Sequence, residues 1–180
     1  MDRPAPVTAS VIDLARHRPS GYETDGPVSA LTPGELFPLS ALRLWAAPYR
    51  SPEETHPDWR EGFALADIDD HAAGAFDAFM RTLLATSSAT LDVRCARCPR
   101  LGCDEATFLL AVGHLQRRRP LGATRLLTRW MPASAVRIGL GHLGQFARAA
   151  ADADLWIPSL RIEARAVQEA GVDPGLARIH

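Results

Sequence analysis

LDVRCARCPRLGCDEATFLLAVGHLQRRR, residues 91–119, is the stretch around which the rest of the chain is read. It gathers all three cysteines into one turn-rich segment, opens a helix directly after them and closes on three arginines. From Asp104 to about Gln116 the apolar residues Ala106, Phe108, Leu109, Leu110, Val112 and Leu115 fall on more than one helical face. A helix that is apolar all round belongs in the centre of a bundle. The segment therefore predicts an all-α domain with its cysteine turn between two halves.

Working outward toward the C-terminus, Pro120 breaks the central helix, and Leu126, Leu127, Trp130 and Met131 mark a shorter one that Pro132 ends. Val136, Leu140, Leu143, Ala147 and Ala150 keep near-heptad spacing through a long helix. Gly139, Gly141 and Gly144 within it either weaken it or admit a close neighbour. Leu155 to Pro158 reads as a short extended piece able to pair with Leu91 to Val93, and Ile162 to Ala170 as a final helix.

Working outward toward the N-terminus, Ala72, Phe76, Phe79, Met80 and Leu83 form a helical stripe that Asp69 or Asp70 can cap. The acidic, proline-bearing segment before it is pinned by Trp59, Phe63 and Leu65. Leu39, Leu42, Trp45, Ala46 and Tyr49 give a first core helix, with Ser40 near its start and Pro48 limiting its end. Residues 1–34 carry five prolines among Ser, Thr and Gly, and read as a disordered tail with one apolar cluster, Val11, Ile12 and Leu14. The expectation is a single helical domain, residues 35–180, of five or six helices behind that tail.

Composition narrows the chemistry. A chain of 180 residues can bury a core without covalent staples. Every one of its 20 basic side chains is an arginine, so a phosphate-loop lysine, a Schiff base and a lysine general base are all excluded. The net charge of −1 hides an asymmetry. The charged residues of 53–77 are all acidic except Arg60, and those of 94–148 are all arginine except Asp104 and Glu105. Such polarity offers a basic face to a polyanion or lets two halves of one domain attract each other. The opening residues lack the basic start and apolar centre of a secretory signal, and no window is apolar enough for a membrane span, which predicts a cytoplasmic protein.

In a reducing compartment, clustered cysteines are read as metal ligands or reactive thiols. Cys95, Cys98 and Cys103 give C-x2-C-x4-C, with Pro99 and Gly102 supplying turn chemistry. A C-x2-C turn folds back far enough to place both sulfurs on one ion, and a third thiolate at a helix start gains from the positive end of the dipole. The spacing resembles the opening of a zinc knuckle, C-x2-C-x4-H-x4-C, with Cys103 in the histidine position and Phe108 where the last cysteine belongs. The resemblance implies a metal turn, with zinc as the expected ion and its fourth ligand supplied from elsewhere. His71, His142 and Asp104 are the candidates, with His71 preferred. His114 is excluded, lying about 16 Å along an unbroken helix from Cys103. An iron–sulfur cluster fits the same spacing, and so does the plain reading of three thiols at the edge of a helical core.

Arg117, Arg118 and Arg119, with Arg125 and Arg129 on the next helix, form a candidate anion-binding face. Arginines ending a helix also complement its dipole without any ligand. The functional expectation is a small metal-binding regulatory or adaptor protein that engages a protein or nucleic-acid partner through this face. Two alternatives remain, a thiol-based redox sensor and an enzyme with an open three-cysteine metal site.

Overall fold

A computed structural model describes residues 21–162 apart from positions 24 and 89. Among the described residues there are six complete α-helices, α1 (Pro33–Arg50), α2 (Glu61–Leu65), α3 (Asp70–Thr86), α4 (Cys103–Gln116), α5 (Pro120–Leu127) and α6 (Ala133–Asp152), a 3-10 turn at Val28–Ala30, a first helical turn at residues 159–162 where the description ends, and no strand. The all-α expectation holds. The final helix expected over Ile162–Ala170 begins earlier, with residues 159–162 already helical, and the rest of its span lies outside the described residues, as do positions 1–20 of the tail.

Helix α4 is the central element, with Phe108, Leu109, Leu110, Ala111 and Val112 at 0–1% exposure. It packs on α1, α5 and α6, while α3 and α6 form the most extensive helix pair. The Phe76 ring lies 5.1 Å from Phe146 and 5.8 Å from Phe63, joining α3, α6 and α2 through tilted ring contacts. Asp69 caps α3 by accepting from the Ala72 N–H at 2.8 Å, and the predicted stripe on α3 is buried throughout. Gly139 faces Phe79 closely, whereas Gly141 and Gly144 face open space.

The differences from the sequence reading have identifiable causes. Helix α1 starts at Pro33 rather than near Ser40, because Pro fits the first helical position, where its missing N–H is no loss. Pro120 opens α5 in the same way. Leu65 does not pin α2, since it is 90% exposed while Phe63 is buried. Residues 25–32, read from composition as part of the tail, lie against the bundle. Val28 N–H donates to the Pro99 carbonyl at 2.8 Å, Leu101 N–H to that of Gly26 at 2.9 Å, and Tyr22 and Leu31 are buried. Leu155–Ile157 does not pair with Leu91–Val93. The Gln116 carboxamide substitutes for a strand, donating to the Leu155 carbonyl at 2.8 Å and accepting from the Ile157 N–H at 2.9 Å.

Three helices end alike. Asp67, Arg118 and Asp154 follow α2, α4 and α6 with φ of 54°, 54° and 60°. The next residue's N–H reaches back to the Phe63, His114 and Ala150 carbonyls at 2.9, 2.9 and 2.8 Å. This is the Schellman closure, here built without glycine at the left-handed position.

Candidate functional site

The cysteine segment is held by a buried ion pair. Glu105 stands at the third position of α4, where its carboxylate accepts from the Gly102 N–H at 2.7 Å and satisfies one of the orphan donors of the helix start. Its oxygens also accept from Arg43 Nε and Nη2, both at 2.7 Å, and from the Arg94 N–H at 2.8 Å. Arg43 spends its remaining donors on the segment itself, Nη1 on the Cys98 carbonyl at 2.7 Å and Nη2 on that of Arg100 at 2.8 Å. The two side chains are 3% and 0% exposed. A charge pair so deep is tolerable because nearly every donor and lone pair has a partner.

The neighbouring carboxylates act similarly. Asp104 accepts from the Asp92 N–H at 2.7 Å and from Trp130 Nε1 at 3.0 Å, so it organises the approach to α4. Asp92 accepts from the Cys103 N–H at 3.3 Å. A Cβ added to Gly102 would fall 2.5 Å from the Asp92 carbonyl oxygen, which requires glycine where these two backbones meet.

Between these anchors the chain makes one reverse turn, Cys95-Ala96-Arg97-Cys98, closed by the Cys98 N–H donating to the Cys95 carbonyl at 3.0 Å. Cys95 is exposed, Cys98 and Cys103 are partly covered, and all three are thiols rather than disulfide partners. A turn of this kind holds its end Cα atoms within about 7 Å, the reach of a disulfide.

Cys95 borders a cleft of about 550 Å³ between the C-terminal half of α1, residues 51–57 and the turn. Arg50, Arg97, Glu54 and His56 share its wall. His56 Nε2 lies 2.8 Å from the Ser51 carbonyl oxygen. A carbonyl only accepts, so Nε2 carries the proton and Nδ1 is the basic atom of the neutral ring. A second cavity of about 850 Å³, mostly apolar, opens between α1, α3 and residues 90–93, with Trp45, Tyr49, Leu84, Leu91 and Val93 in its lining.

Among the described residues no three His, Cys, Asp or Glu side chains form a group able to hold a metal ion. The zinc expectation thus finds no such group among the described residues. His71, the preferred fourth ligand, is exposed at the start of α3, whereas Val93, two residues before Cys95, lines a cavity with Leu83 and Leu84 at the other end of that helix. Helix α3 is about 25 Å long at 1.5 Å per residue.

The expected anion face divides. Arg117 is drawn into the bundle, donating to the Gly113 and Ile157 carbonyls, with its guanidinium 5.8 Å from the Trp156 ring centre. Arg118, Arg119, Arg125 and Arg129 are exposed.

Arg43, Arg50 and His56 were not singled out by sequence reasoning. For Arg43 a signal existed, since it sits four residues after Leu39 and four before Ala47 on the apolar stripe of α1. No family model, no curated protein and no solved structure matches this chain.

Proposed function

We propose that this chain is a thiol-responsive regulatory module, a helical domain whose Cys95 and Cys98 interconvert between dithiol and disulfide and thereby alter what the domain binds. The observation that carries this reading is the hydrogen-bonded turn joining the two cysteines, one thiol exposed and the other in a residue whose carbonyl is gripped by Arg43. A disulfide needs only these two sulfurs, whereas zinc needs ligands that the described side chains do not assemble. Closing the disulfide changes the geometry of the turn, and the Cys98 carbonyl passes that change to Arg43 and so to α1 and α4. In a reducing compartment such as the cytoplasm the resting form is the dithiol. The exposed Arg118, Arg119 and Arg125 give the module a basic surface for an acidic protein or nucleic-acid partner. No helix among the described residues is long and apolar enough to cross a membrane.

The test is thiol counting by mass spectrometry before and after equilibration with a graded dithiothreitol redox buffer, alongside elemental analysis of protein purified without a metal column. A reversible loss of two thiols mapped to Cys95 and Cys98, absent in Cys98→Ser, supports the reading. One equivalent of zinc that protects the thiols overturns it in favour of a zinc-holding adaptor.

A further inference from the structure

We infer that the cleft beside Cys95 receives an anionic low-molecular-weight disulfide, with Cys95 as the attacking thiol and Cys98 as the thiol that resolves the mixed disulfide. The inference rests on the thiol reading above and names the co-reactant of that site.

The roles follow from placement. Cys95 is exposed and lines the cleft, whereas Cys98 is partly covered, does not line it, and has its carbonyl bound by Arg43. An incoming disulfide therefore meets Cys95 first. The cleft volume, about 550 Å³, suits a ligand of peptide-fragment size. Charge selects among such ligands. The cationic side chains on the wall are Arg43, Arg50 and Arg97, and the one carboxylate is Glu54. The Arg43 charge is already matched by Glu105. The Arg50 guanidinium donates to the neutral Val93 carbonyl, which leaves its charge uncompensated by that contact, and Arg97 is exposed. Among the side chains lining the cleft the charge balance is positive, which favours disulfides bearing carboxylates at Cys95 over those bearing amines.

The chemistry balances without further reactants. The Cys95 thiol loses its proton to solvent, and its sulfur attacks one sulfur of the disulfide, forming a mixed disulfide and expelling a thiolate. Cys98, deprotonated likewise, then attacks the Cys95 sulfur, forming the Cys95–Cys98 bond and expelling the second thiolate. Two protein thiols are oxidised, one disulfide is reduced to two thiols, and the protons released by the protein reappear on the leaving thiolates.

The experiment measures second-order rates of the reduced full chain with oxidised glutathione (anionic), hydroxyethyl disulfide (neutral) and cystamine (cationic). Each rate is divided by that of a simple thiol with the same reagent. The expected order is anionic above neutral above cationic, with about tenfold between the extremes at low salt, shrinking as salt is added. Arg97→Glu should abolish or reverse the preference and Arg97→Lys should retain it, with helicity checked in both. Cys98→Ser should stop at a stable glutathione adduct on Cys95. A Cys95–Cys98 disulfide formed without charge preference, or with a preference unmoved in Arg97→Glu, overturns this inference while leaving the thiol reading standing. No reaction with any of the three reagents overturns both.

Discussion

Arg43 and Glu105 show how much of this molecule depends on single side chains. Removing one partner strands the other charge in the core, which costs about 3–5 kcal/mol, whereas removing both leaves no unpaired buried charge. Glu105→Gln and Arg43→Met should each lose stability of that order in urea unfolding, and the double variant should lose clearly less than their sum. Asp77 behaves differently because it lies nearer the surface. Burial alone raises its carboxyl, but the Trp45 indole N–H and the Arg81 guanidinium, each donating at 2.7 Å, outweigh that and hold it below the ordinary carboxylate range. A depressed folded value stabilises the protein above the unfolded pKa, and this contribution is lost as pH falls through the folded one. Asp77→Asn should therefore destabilise at neutral pH and narrow its difference from wild type as acid is added. The sequence displayed both acids but not their partners, since nothing in a lone arginine codon position separates a surface residue from a buried one except its place on the apolar stripe.

At the scale of the element, helix existence was legible and helix ends were not. Periodicity marked α3 and α6, an all-round apolar run marked α4, and Asp69 or Asp70 announced the start of α3, because side-chain spacing and capping chemistry are local properties. The C-terminal ends were obscure because Asp67, Arg118 and Asp154 occupy positions where glycine is the usual signal. Each holds a left-handed backbone that costs an L-residue about 1 kcal/mol or more. Arg118 has an exposed side chain, so Arg118→Gly should raise the midpoint of thermal unfolding, with a gain of up to about 1 kcal/mol and no change in helicity. The candidate site was half legible for a related reason. Three cysteines close in sequence are visible at once, whereas His56 shares a cleft with Cys95 only because residues 51–57 fold back beside the turn, and Arg50 only because α1 ends there.

At the scale of the whole molecule, a second buried glutamate closes the bundle. Glu35, at the third position of α1, accepts from the Thr32 N–H at 2.8 Å and from Arg161 Nε at 3.2 Å, and Arg161 also donates to the Gly21 carbonyl at 2.8 Å and lies over the Tyr22 ring. The two ends of the described chain are thus joined by the Arg161 guanidinium, which Glu35 holds in place. Burial first, and then the Glu35 charge, pushes the Tyr22 phenol far above its ordinary value of 10.0. A raised folded value means stability is full below the unfolded pKa and is lost as pH rises above it. Wild type should lose stability above about pH 10, and Tyr22→Phe should flatten that alkaline limb. Nearby, a Cβ on Gly34 would sit 2.1 Å from the Trp156 carbonyl oxygen, so Gly34→Ala should cost about 1–3 kcal/mol in chemical denaturation. These long-range closures were not legible, because they join residues about 120 or more positions apart through chemistry that each segment also shows when solvated.

The contact between Trp130 and Asp104 has a practical side. Its indole is 5% exposed and donates to the carboxylate that also holds the Asp92 N–H beside the cysteine segment. A native fluorophore is therefore seated on the same carboxylate that orders the start of α4. Its emission, isolated by difference against Trp130→Phe, would follow rearrangements of that segment in real time without any attached dye.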